Sequence, residues 1–145
     1  MQIKRVENES DVKRGLDLFI EVMAEPPYFE KWKKEDAEKR IQHFFSKAKD
    51  FAFFAEENNK VVGLIFCSTY FWDDGIHVFV EDLCVDKEFR GTGAGQKLVL
   101  ELEKTAKEKN IAMIDLFAHT KAKAFDFWKK MNYIQTDFVQ MKKKI

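Results

Sequence analysis

The chain has 145 residues, 25 of them basic and 25 acidic, for a formal net charge of zero. That length suits a single domain, 1–145, with one core, and leaves too little chain for two. Balanced charge argues against nucleic acid or an anionic membrane surface as a partner, and no apolar run approaches the roughly 20 residues that a bilayer span requires.

The opening residues, MQIKRVENES, lack the apolar segment of a secretory signal. Cys67 and Cys84 are the only cysteines and both fall in strand-like runs. A disulfide scaffold is therefore not expected, and a reducing, cytoplasmic location is. Gln2 to Val6 is predicted as a short strand. Ser10 is placed to cap a helix from Asp11 to about Ala24, because Val12, Leu16, Phe19, Ile20 and Met23 recur at spacings of three and four. Glu25-Pro26-Pro27 ends it, since proline removes a donor and restricts the residue before it. A second helix is predicted from Glu30 to Ala48, with Ile41, Phe44, Phe45 and Ala48 on its apolar stripe. Tyr28 and Trp32, near its interrupted start, suit either core packing or one wall of an acceptor site.

Phe51 to Glu56 is predicted as a strand, and Lys60 to Trp72 as a longer one, joined by a turn at Asn58-Asn59 that tolerates positive φ. Asp73-Asp74-Gly75 is a second turn, returning the chain into a strand from Ile76 to Val85. That strand leads to the most informative stretch, Val80 to Leu100, VEDLCVDKEFRGTGAGQKLVL. Gly91, Gly93 and Gly95 let the backbone approach a ligand without Cβ obstruction. Leu98, Val99 and Leu102 then recur at helical spacing, so the corner sits at a helix N-terminus, where unpaired amides and the dipole favour phosphate. Arg90 adds positive charge at the entrance. The spacing matches neither the dinucleotide-binding G-x-G-x-x-G nor a nucleotide P-loop.

The helix is predicted from Gly95 to Lys109, with Asn110 as its left-handed cap. A strand from Ile111 to Ala118, a helix from about Lys121 to Met131 ended by Asn132, and one or two strands within Tyr133 to Ile145 complete the chain. The order predicts an α/β (α+β) domain whose mixed, mostly antiparallel sheet carries helices on both faces.

Arg90-Gly91-Thr92-Gly93-Ala94-Gly95 matches the signature R-x-x-G-x-G/A, and with it the chain resembles the GNAT family of N-acetyltransferases. Glu81 to Asp86 resembles that family's fourth strand. Phe127-Trp128-Lys129-Lys130-Met131-Asn132-Tyr133 is similar to its late-helix motif. The resemblance implies acetyl-CoA as acetyl donor, with no metal. It places the pyrophosphate on the amides of Arg90, Gly91, Thr92, Gly93, Ala94, Gly95 and Gln96, and the pantetheine along Leu83, Cys84 and Val85. Trp128 falls where the family has its acid tyrosine and joins the cofactor-binding set. The family's fourth strand splays from the next one, exposing main-chain N–H groups to the thioester.

An ammonium has no lone pair, and a lysine-like amine has an ordinary pKa of about 10.4, so acetyl transfer to it needs a proton acceptor. Glu81 is the candidate base, with its neighbour Asp82 expected on the opposite strand face; the alternative for either acid is an ordinary salt bridge. An indole N–H cannot protonate a thiolate as a phenol can. Three options remain: a thiolate, with an ordinary thiol pKa of about 8.5, leaves unaided; His119 or Tyr133 serves as the acid; or the chain binds CoA without efficient turnover. His43, His77 and His119 show no metal-ligand spacing. Tyr70, Trp72, Asp73, Asp74, Glu81 and Asp82, with Tyr28, suit a cationic small-molecule amine. Val80-Glu81-Asp82-Leu83 is similar to the diamine and polyamine acetyltransferase branch, which implies such an acceptor. Acetylation of a protein N-terminus or lysine, and a CoA-dependent regulatory module, are the other two readings. A homodimer through the terminal strand is compatible with an open sheet edge.

Overall fold

Three apolar runs in the middle of the chain are separated by turn residues. The computed structural model, which describes residues 1–145, pairs them into an antiparallel meander. The strands β1 (Gln2–Arg5), β2 (Phe53–Glu57), β3 (Lys60–Trp72), β4 (Gly75–Val85) and β5 (Met113–Leu116) lie side by side in chain order. All neighbours are antiparallel except β4 and β5, which run parallel because a helical crossover joins them. Asn58 and Asn59 both adopt positive φ, 50° and 61°, as a two-residue hairpin requires.

Alternation along the strands sends successive side chains to opposite faces, and each face has its own core. Phe54, Leu64, Phe66 and Cys84 meet helices α1 (Glu9–Val12), α2 (Leu16–Met23) and α3 (Lys34–Lys47) through Val12, Phe19, Ile41 and Phe45. Phe53, Ile65, Val78 and Val80 meet α4 (Ala94–Glu108) and α5 (Lys123–Lys130) through Leu98, Leu102 and Trp128. The expected single domain layout, with helices on both faces of a mixed and mostly antiparallel sheet, is present.

Local boundaries differ from expectation where tertiary contacts intervene. Asn8, not Ser10, caps the first helix, its side chain accepting from the Asp11 amide at 2.9 Å. The predicted continuous helix tightens into a 3₁₀ turn at Lys13–Gly15. There Gly15 lies so close to the sheet that a Cβ would stand 2.9 Å from the Phe54 ring. The next helix begins at Lys34 rather than Glu30, because Trp32 packs edge-on against Phe19, centroids 5.3 Å apart, before the helix starts.

Tyr133 to Ile145 forms no strand. Ile134, Phe138, Val139, Met141 and Ile145 are exposed, and the Phe138 amide donates to Thr136 Oγ1 instead of a ladder. Strand preference is realised only against a facing surface, and this stretch, which ends in Lys142-Lys143-Lys144, pairs with no strand.

Candidate active site

Register along the β3–β4 hairpin runs from Gly63 opposite Val85 to Phe66 opposite Asp82, and then Cys67 pairs with Val80. Glu81 is therefore an extra residue, a β-bulge, and bulges re-aim side chains. Simple alternation puts Glu81 and Asp82 on opposite faces; the bulge instead brings both carboxylates to Arg40 on α3. Arg40 Nε and Nη2 donate to Asp82 at 3.1 and 3.2 Å, while Glu81 Oε2 lies 4.0 Å from the same guanidinium. Asp82 is buried; burial raises its carboxyl and the guanidinium pulls it back down. The expected substrate contact by Asp82 is thus corrected: it anchors α3 to β4. Glu81 accepts the Ser68 hydroxyl at Oε1, 2.6 Å away, and keeps Oε2 beyond hydrogen-bond range of Arg40.

The Asp86 amide donates to the Val62 carbonyl at 2.9 Å. By the alternation of an antiparallel ladder, the main chains of Cys84 and Asp82 then face β3, while those of Leu83 and Val85 face the other edge. On that edge β5 pairs β4 only from His77 to Val80, so the strands part before Leu83. The Val85 carbonyl accepts Arg90 Nε at 3.1 Å, in keeping with that direction. Cys84, expected among the cofactor contacts, turns its main chain to Leu64 and buries its side chain completely, and burial pushes its thiol well up.

Beyond β4 the chain reaches the glycine corner. Gly91 and Gly93 have φ of 77° and 92°, and a Cβ on either would meet nothing within 4 Å. The first intrahelical bond of α4 runs from the Lys97 amide to the Gly93 carbonyl, so the amides of Gly93, Ala94, Gly95 and Gln96 precede the helix's own ladder. No acidic residue lies in the first turn. Open space in front of such donors fits a diphosphate. Two residues depart from expectation. Thr92 gives both its amide and its hydroxyl to the Phe89 carbonyl, at 3.3 and 2.6 Å. Arg90 gives Nη1 and Nη2 to Glu25, at 2.7 and 2.8 Å, and holds that carboxyl below its ordinary range. Arg90 thus clamps the loop after α2 to the corner instead of presenting a free charge.

A cavity of about 600 Å³ opens beside Glu81. Ser68 and Tyr70 of β3, Phe79, Val80 and Glu81 of β4, and Arg40 of α3 line it, with Glu30, Phe117, Gln140 and Lys142 from connecting and terminal segments. Of the predicted acceptor residues, Tyr70 and Glu81 are in this lining. Trp72 is 60% exposed, and Asp73 is exposed at the hairpin turn. Asp74 contacts His77 Nε2 at 2.6 Å, and Asp115 contacts His77 Nδ1 at 2.8 Å and accepts the Tyr70 hydroxyl. Burial, then Asp115, pushes the Tyr70 phenol up to about 12. A second cavity, of about 370 Å³ at Glu9, Ser10, Lys13, Glu38 and Gln42, has no hydrophobic lining residue and draws none from β4.

The candidate acids lie elsewhere. Tyr28 and His119 face each other edge-on across 6.3 Å, and His119 is exposed, its Nδ1 accepting from the Lys121 amide. Trp128 is buried against Tyr133, 4.9 Å between centroids, as a core residue of α5. Tyr133 donates its hydroxyl to Glu103 on α4 at 3.2 Å, and burial, then Glu103, raises its pKa, which makes it a poorer acid. Sequence reasoning missed Ser68, which the period of two already places on the same face as Tyr70. It also missed Arg40, whose partner is 42 residues away and leaves no local trace.

The acetyltransferase (GNAT) family matches residues 18–133. No curated protein matched. Among solved structures, the chain resembles a possible acetyltransferase from Clostridium difficile 630, with TM-score 0.81 and 15% identity over 99% of this chain and 97% of that one. It also resembles an aminoglycoside 6'-N-acetyltransferase from Acinetobacter haemolyticus, with TM-score 0.77 and 16% identity over 100% and 99% of the two chains. A third likeness is to glucosamine-6-phosphate N-acetyltransferase from Arabidopsis thaliana, with TM-score 0.66 and 24% identity over 99% and 97%. At such identities these structures speak to fold. The family match spans most of the chain, and a bulged, splayed β4 leads directly into the glycine corner; the chain belongs to the acetyltransferase (GNAT) family, whose members use acetyl-CoA as donor.

Proposed function

We propose that the chain transfers an acetyl group from acetyl-CoA to the primary amine of a small cationic acceptor, a diamine or polyamine, held in the cavity beside Glu81. The observation that carries this reading is the bulge, which places a carboxylate, one oxygen of which accepts no hydrogen bond, beside a cavity of small-molecule size. Acetyl-CoA supplies an activated thioester carbonyl. The amides of Gly93 to Gln96 hold its diphosphate, and the open β4 edge at Leu83 and Val85 offers main-chain donors to the thioester, where one fixed donor contributes a few kcal/mol. Ser68 orients Glu81, which takes the proton from the acceptor ammonium. Tyr70, Phe79 and Phe117 supply aromatic faces that suit a cation. With Trp128 in the core and Tyr133 bonded to Glu103, the thiolate leaves without a dedicated acid.

The test is thiol release from acetyl-CoA with a panel of diamines, polyamines, monoamines and peptides. Glu81→Gln is expected to lower kcat roughly 10²- to 10⁴-fold while leaving thermal unfolding near that of the parent. Unchanged kinetics in that variant would remove Glu81 from the chemistry. Turnover of peptides alone would move the acceptor to proteins, and tight CoA binding without any turnover would favour the regulatory module.

A further inference from the structure

The segment after Tyr133 contributes to the cavity wall. Gln140 and Lys142 are both solvent-exposed and both line it, whereas Met141, Lys143 and Lys144 do not. Lys142 thereby shares one cavity with Glu81, Ser68 and Glu30. Some lysines are held by carboxylates, as in Lys4 with Glu56 at 2.6 Å and Lys60 with Asp86 at 2.9 Å, whereas Lys142 is in no such ion pair. No ladder or apolar packing holds the segment, whose side chains from Ile134 to Ile145 are exposed. Its ammonium is chemically the kind of amine the cavity is argued to accept.

We infer that Lys142 is a self-acetylation site, modified by the chain's own active centre. The inference rests on the acetyl-transfer reading above. Glu81 takes a proton from the Lys142 ammonium, the freed Nζ lone pair forms a bond to the thioester carbonyl carbon, the carbon–sulfur bond breaks, and CoA leaves as its thiolate. The products are Nζ-acetyl-Lys142, CoA and a proton, with no oxidant or reductant required. Tethering favours this amine over any lysine in bulk, because a short flexible connection presents its end at millimolar effective concentration. Acetylation removes the lysine's charge from the cavity wall.

The experiment incubates the full chain with acetyl-CoA and no added amine, then maps the peptide beginning at Asp137, which carries Lys142, Lys143 and Lys144 together. The expected result is acetyl at Lys142 several-fold ahead of Lys143 and Lys144, which share its tether but do not line the cavity, with a first-order rate independent of protein concentration. In Lys142→Arg, the fast phase of labelling disappears. Equal labelling of the three lysines, or a rate proportional to protein concentration, overturns the inference. Thiol release with added amines beside an unmodified Lys142 overturns it too and leaves the acetyl-transfer reading standing. Absence of both reactions overturns both.

Discussion

Arg40→Ala tests whether the bulge is held as described. The substitution removes a guanidinium that gives Asp82 two hydrogen bonds, at 3.1 and 3.2 Å, and that lies over the Phe44 ring, 4.9 Å from its centroid. Asp82's side chain is only 3% exposed, so water cannot replace the lost donors; Arg40's, at 30%, reaches solvent. Removing one partner of a buried pair costs about 3–5 kcal/mol, chiefly because the other charge is left uncompensated. Against a total stability of about 5–15 kcal/mol that is a large fraction, and at roughly 2–4 °C per kcal/mol it lowers Tm by about 6–20 °C. The burial asymmetry predicts that Asp82→Asn costs less, since the stranded group is then the one that water can reach. Replacing both with apolar residues, Arg40→Met with Asp82→Leu, should recover most of the loss. Urea unfolding of the parent, Arg40→Ala and Asp82→Asn, together with the cycle formed by Arg40→Met, Asp82→Leu and their double variant, measures all of this. The reasoning is refuted if Arg40→Ala unfolds within about 1 kcal/mol of the parent, or if the costs of Arg40→Met and Asp82→Leu simply add in their double variant.

Two further expectations concern the corner and the hairpin. Gly93→Ala places a side chain at φ 92°, costing about 1–2 kcal/mol of backbone strain. Its Cβ enters space that no protein atom occupies within 4 Å. Calorimetric titration with CoA should show affinity weakened by roughly tenfold, and unchanged affinity in the folded variant would dismiss the diphosphate cradle. At His77, burial opposes the ring's charge, but the hydrogen bonds the protonated ring donates to Asp115 and Asp74 outweigh it and raise the pKa above its ordinary value. A raised pKa gives stability that is full below about pH 6.5 and is lost as pH rises through the folded-state value. Urea midpoints followed from about pH 5.5, roughly one unit below the ordinary histidine value, upward through neutrality should therefore fall further for the parent than for His77→Gln. Parallel curves would show that the ring carries no such linkage.

The strand and helix order from Gln2 to Lys130, both hairpin turns and the glycine corner were legible in the residues alone, because each is a local property: alternation, helical spacing, or a residue that tolerates positive φ. Asn58-Asn59 and Gly91 to Gly95 needed no distant partner to be recognised. What the acids do depends on packing. Alternation sends Glu81 and Asp82 to opposite faces, yet the bulge brings both to Arg40, makes Asp82 a buried anchor and leaves Glu81 facing a cavity. The same holds for Arg90, whose charge goes to Glu25, for Tyr133, whose hydroxyl goes to Glu103, and for the residues after it, which are exposed and join no strand. A side chain's role follows from which remote group competes with water for it, and that competition is settled only when the elements pack.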